Sequence, residues 1–255
     1  MLYGVISCKI EVEATMRIGI ITAMADETMP LYEKLGKAKG EGKVAGATVH
    51  QFEIDDNEIY LAKSGVGEIR AALTAQMLVD IFEVEAILNF GFVGSLDNRF
   101  DVGDLTLVGA TVHYQFDTSE IDDVPAGQYD GKDSVYFHLD RNLIAKVQNE
   151  LGGILPIVID ASGDKFVASR EEKEYLRTFG AHICDMECAG LAIATERNGI
   201  PLLSIKVISD KADESANVSF GEVVRRGLTK YESIFPAVLK AVSGKSETPL
   251  PPVRL

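Results

Sequence analysis

Apolar positions along this chain fall into two alternating registers. Short β-branched runs at Ile18–Thr22, Ile59–Lys63, Ala86–Phe90, Leu105–Val108, Ile157–Asp160 and Leu202–Ile208 read as strands. Between them, apolar residues recur at helical spacing, which predicts helices over Glu27–Leu35, Glu68–Phe82, Arg141–Leu151, Arg170–Phe179, Met186–Asn198 and Val218–Val242. Strands that alternate with helices imply crossover connections. The expected fold class is therefore α/β: a single domain with a central mixed, mainly parallel β-sheet flanked by helices.

No Pro/Gly/Ser-rich linker, low-complexity tract or repeat interrupts the stretch from Met16 to Lys240, so one domain over residues 16–243 is expected. Residues 1–15 precede the first strand and read as an N-terminal extension. They lack a basic leading region, and their apolar stretch is too short and interrupted for a secretory signal. Residues 244–255, polar and Pro-rich, read as a loose tail.

Charge narrows the function classes. A formal net charge of −14 disfavours nucleic acid and anionic membrane as partners, because both are bound through clustered Lys and Arg. No apolar run approaches the ~20 residues that span a bilayer. Cys8, Cys184 and Cys188 form neither a disulfide framework nor a zinc-ligand spacing, and small buried thiols in a reducing, cytoplasmic setting are expected. No metal and no cofactor is implied.

Ligands of such sheets bind beyond the carboxyl ends of the strands. Those junctions read AMADE, KSGVGE, NFGFVGSL, SGDKF, DMECAG and ISDKAD. Glu27, Glu187 and Asp210 each follow a predicted strand, so the fold brings three carboxylates to one rim. A lone acidic residue at a helix start is more often a cap or dipole partner. Three together suit acid–base work, and cleavage of an N-glycosidic bond needs three such groups: one to protonate the leaving base, one to activate water and one to grip the sugar.

The order and spacing of IGIITAMADE, KSGVGE, NFGFVGSLDNRFDVGD, SGDKFV, DMECAGLA and KVISDKADESANVSF resemble the methylthioadenosine/S-adenosylhomocysteine nucleosidases of the purine nucleoside phosphorylase superfamily, from Ile18 through about Phe220. The resemblance implies a nucleoside phosphorylase-like fold, a purine nucleoside as the small-molecule substrate, no cofactor and a homodimer. It makes Glu27 the general base toward water and Asp210 the acid toward adenine, with Ser209 supporting that acid. Glu187 and Met186 would hold the ribose, Phe166 would stack on adenine, Val167 would read its edge through the backbone, and Phe220 would close the other side. Ala23, Met24 and Val66 would line the sugar wall. Without the family pattern, Phe166 reads as ordinary core.

Phosphorylases of that superfamily hold phosphate with arginines after the first strand and in the loop after the third. Here those stretches, TAMADET and NFGFVGS, carry no basic residue, so hydrolysis is expected. A phosphate-dependent phosphorylase and a non-catalytic nucleoside-binding protein are the alternatives. Phe92 stands where the family carries a small serine, Asp185 where it has Glu, and Lys206 where it often has Arg. The last two preserve charge sign and read either as a kept pair or as surface drift. The segment from His113 to Tyr129, which would form the 5′-substituent pocket, matches the family poorly.

Overall fold

A computed structural model describes residues 15–214 and 216–244, with the side chains of residues 215–227 left outside that description. Its elements run β1 (Arg17–Thr22), α1 (Ala25–Leu35), β2 (Gly40–Val44), β3 (Ala47–Ile54), β4 (Asn57–Lys63), α2 (Glu68–Phe82), β5 (Ala86–Ser95), β6 (Leu105–His113) and α3 (Ser119–Asp122). They continue with β7 (Tyr136–His138), α4 (Arg141–Glu150), β8 (Ile157–Ser162), α5 (Arg170–Arg177), β9 (Ile183–Asp185), α6 (Cys188–Asn198), β10 (Leu202–Asp210) and α7 (Ala216–Ser243). The six expected strands and six expected helices are all present, most with ends shifted by one or two residues. Strands β5 and β6 run on past the expected ends at Phe90 and Val108. No helix among the described residues is long and apolar enough to cross a membrane.

Strands β4, β1, β5 and β10 pair in parallel at the centre of one mixed sheet. All six β1 residues but Arg17 and every β10 residue are buried, because α2, α6 and α7 cover the sheet. Such strands read as continuous apolar runs, which is why they were legible. The helices pack close: a Cβ on Gly19 would stand 2.9 Å from Leu78 Cδ1 of α2.

The sheet also closes on itself. β5 pairs with β10 and β9, β10 pairs with β6, β6 with β8, and β8 with β9, making a five-strand ring with the β1–β4–β3–β2 wing attached. β1 leaves β5 after Asn89, and β9 joins it only at Gly94. Between these points one edge of β5 has no strand beside it. That gap is a topological switch point, where a ligand has access to the strand ends.

Candidate active site

The first turn of α1 borders the gap. Glu27 lies in its first turn, and its Oε2 accepts the backbone N–H groups of Ala23 (2.8 Å) and Met24 (2.9 Å). Its Oε1 accepts Phe92 N–H (3.0 Å), a donor on the unpaired edge of β5. Burial raises Glu27 above the usual carboxylate range, against the opposing pull of these N–H groups and of the Lys206 charge. A carboxylate so raised, yet fixed by three donors, suits a general base toward water.

The corner from β9 into α6 carries the second carboxylate. Glu187 is the residue just before α6, and its Oε1 accepts Gly67 N–H (3.0 Å) from the start of α2. Its other oxygen has no protein donor among the described residues. Burial, then the neighbouring Asp185 charge, pushes Glu187 up to about 7. Asp185 itself is tied to Lys206, with Nζ 2.6 Å from Oδ2 and both side chains almost fully buried. These positions are a dry ion pair. Surface drift is therefore excluded, and the lowered pKa of Asp185 follows because Lys206 and the hydrogen bonds from Ser162 and Cys188 outweigh the cost of burial.

Asp210 ends β10. A register shift between Ile208 and Asp210 turns the strand at Ser209, the kind of bulge that re-aims a side chain. Asp210 Oδ1 accepts Ala212 N–H (2.8 Å), and Oδ2 lies 2.8 Å from Ser209 Oγ, which is also 3.1 Å from Val93 O. The single hydroxyl proton can turn either way. It donates to Asp210 when the carboxylate is ionised and to Val93 O when Asp210 carries a proton. Burial raises Asp210 above its ordinary value, in the direction an acid requires.

All three carboxyl groups line one cavity of about 390 Å³, together with Ala23, Met24, Val66, Phe92, Phe166, Val167, Met186 and Ser209. Phe166 is half exposed, so the ordinary-core reading does not describe it. Phe220 belongs to α7, but its side chain lies outside the described residues. Sequence reasoning missed Val93, Gly94, Lys165, Cys184 and Asp185 as lining residues. Cys184 and Asp185 sit on β9, a three-residue strand with no periodicity to reveal it. His113 and Tyr114 are not among the lining residues; His113 Nδ1 meets Tyr129 OH at 2.7 Å. Asp160, Asp185 and Cys188 bring three ligand-type atoms within 4.8 Å of one another, but the Lys206 ammonium on Asp185 already supplies a cation there.

The family profile described as the phosphorylase superfamily matches residues 17–240. The chain belongs to the phosphorylase superfamily. It is 33% identical over 208 residues to an aminodeoxyfutalosine nucleosidase of Helicobacter pylori, covering 80% of this chain and 89% of that protein. It is 28% identical to a 5′-methylthioadenosine/S-adenosylhomocysteine nucleosidase of Staphylococcus carnosus, covering 88% of this chain and all of that protein. A solved Helicobacter pylori 5′-methylthioadenosine/S-adenosylhomocysteine nucleosidase with butyl-thio-DADMe-Immucillin-A superposes with a TM-score of 0.83 at 30% identity, over 89% of this chain and 98% of that one.

Glu27, Glu187, Asp210 and the Lys206-paired Asp185 line the cavity with Lys165, which is itself ion-paired with Glu172. A phosphate dianion finds no guanidinium fork among the described lining residues, and neutral water needs none.

Proposed function

We propose that this protein hydrolyses the N-glycosidic bond of adenosine-type nucleosides, with 5′-methylthioadenosine and S-adenosylhomocysteine as substrates and adenine and the 5′-thio-ribose as products. Glu27 takes a proton from water as the water oxygen bonds to the anomeric carbon. Asp210 gives its proton to adenine, so that the base leaves neutral and the bond electrons go with it. Glu187, with Met186 beside it, accepts hydrogen bonds from the ribose hydroxyls. The sugar turns oxocarbenium-like in the transition state, and the nearby carboxylates favour that positive charge. Phe166 stacks on the base, Val167 reads its edge through the backbone, and Phe220 closes the far side. Ala23, Met24 and Val66 wall the sugar.

The observation that carries this reading is the convergence of three carboxyl groups, from α1, the β9–α6 corner and the end of β10, on one cavity with no arginine among its described lining residues. The test is adenine release from each substrate in phosphate-free buffer, repeated with added phosphate. Release without phosphate supports hydrolysis, whereas strict phosphate dependence replaces it with phosphorolysis. Binding without release leaves a nucleoside-binding protein.

Aminodeoxyfutalosine is the second reading. The 33% identity to a nucleosidase named for it favours including it in the same assay. Assembly as a homodimer completes the proposal: Ile69 and Leu73 of α2 are 70% and 57% exposed, one turn apart, next to cavity residue Val66. A place in cytoplasmic methionine salvage follows from the two thio-nucleoside substrates.

A further inference from the structure

Behind the cavity lies a buried polar cluster that the reaction above does not use. Glu68, the first residue of α2, is 4% exposed, although the first position of a helix ordinarily faces water. Its Oε2 accepts Gly190 N–H of α6 at 2.5 Å, and its Oε1 contacts Ser162 Oγ of β8. Ser162 Oγ also lies 2.5 Å from Asp185 Oδ1 and accepts Ala189 N–H (3.1 Å). The fit depends on glycine, because a Cβ on Gly190 would stand 2.4 Å from Glu68 O and 2.9 Å from Glu68 Oε2.

Counting protons fixes the charge state. Ser162 has one hydroxyl proton and two carboxyl oxygens in contact, so one of those carboxyl groups must bring a proton of its own. Asp185 is held ionised by Lys206 and by the N–H of Cys188. The proton therefore sits on Glu68. The same N-terminal turn of α2 supplies Gly67 N–H to Glu187 and Glu68 N–H to Asp164 (2.8 Å), so what anchors Glu68 also anchors the partners of Glu187.

We propose that Glu68 is a positioning residue, kept as a neutral carboxylic acid, that donates to Ser162 so that Ser162 can donate to Asp185, locking α2 to the β9–α6 corner and setting Glu187 for the ribose. This assignment rests on the nucleosidase reading for its ribose contact but not for its proton count. The groups that face Glu68 are Asp185 and Glu187 from the corner, Cys188 of α6, Asp164 of the loop after β8, Tyr114 at the end of β6 and Tyr129. Lys206 neutralises Asp185 but does not touch Glu68. Burial, then the Asp185 charge, pushes Glu68 up to about 8, consistent with the proton it carries.

Loss of the link acts on binding. Glu68→Ala is expected to raise KM for the nucleoside about tenfold while leaving kcat within about threefold, the scale of one hydrogen-bond link. Glu68→Gln places an amide N–H₂ where the acid proton was, and it is expected to restore KM. In wild type KM should climb as pH passes about 8, where Glu68 ionises, and in Glu68→Gln that climb should vanish. A readout independent of turnover is the infrared difference spectrum, wild type against Glu68→Gln, at neutral pH. A protonated-carboxyl band lost in the variant is expected. No band difference, a Gln variant as impaired as the Ala variant, or an unchanged alkaline climb in KM each overturns the assignment. Wild type that turns over none of the nucleosides, yet loses the band in Glu68→Gln, overturns the substrate reading and leaves the protonated Glu68 standing.

Discussion

The two ends of the cavity treat a carboxyl group differently. At the sugar end, Glu27 receives three backbone N–H groups and Glu187 receives one, with the Lys206 ammonium behind them near Asp185. At the base end, Asp210 has Ala212 N–H and a Ser209 hydroxyl that can serve either protonation state. Donors that only give hydrogen bonds favour the anion, whereas a hydroxyl tolerates the acid. One cavity can thereby keep a base at one end and an acid at the other, as the proposed hydrolysis requires.

The sharpest way to break this contrast is at its acid end. Asp210→Asn removes the proton donor but keeps the size, and single-turnover adenine release should fall by about 10³-fold with KM little changed. A near-normal rate would remove Asp210 from its role. The next largest effect concerns the charge behind the sugar end. Lys206→Met leaves Asp185 buried without its cation, and urea unfolding should show a loss of about 3–5 kcal/mol. An unchanged midpoint would mean that Asp185 takes up a proton at little cost.

The pH dependence of stability sharpens the comparison further. Glu27, Glu68, Asp160, Glu187 and Asp210 all have raised values, so each releases its proton at higher pH in the folded state than in the unfolded chain. The stability these groups contribute is fully present below their ordinary carboxylate values and is lost as pH rises, through about 7 for Glu187 and about 8 for Glu68. Asp185, which is lowered, works oppositely, and its contribution disappears on acidification. Melting temperature should fall between about pH 5 and about pH 8. A steady rise over that range would contradict the raised values. The smallest effect is expected outside the cluster: Glu174→Gln, which breaks the exposed pair with Arg177, should change stability by less than about 1 kcal/mol in the same urea experiment.

Legibility in the sequence followed burial. The central strands announced themselves because both faces are covered, whereas the β2–β3 hairpin did not: β2 is solvent-facing, and GEGKV lacks apolar residues before its final Val44. Strand β3, ATVHQFEI, carries Ala47, Val49 and Phe52 on its buried positions, but the alternation slips between Val49 and Phe52, so no strict period-two run marks it. Gly91 and Gly109 interrupt the apolar runs that end at Phe90 and Val108, yet both glycines lie inside strands. The lining residues were found through the order of the motifs, since no single junction singles out Phe166 or Val66. Glu68, Asp160 and Ser162 were not found, because a buried polar side chain leaves no periodic mark. Glu68 occupies a position at which a solvated acidic residue at a helix start is the ordinary expectation.

The most direct test of the central claim is the origin of the oxygen on the anomeric carbon. With 5′-methylthioadenosine turned over in heavy-oxygen water containing phosphate, the label should appear in the hydroxyl of the released 5′-thio-ribose, one atom per adenine formed. Recovery of an unlabelled sugar 1-phosphate would contradict the assignment of water as the nucleophile activated by Glu27.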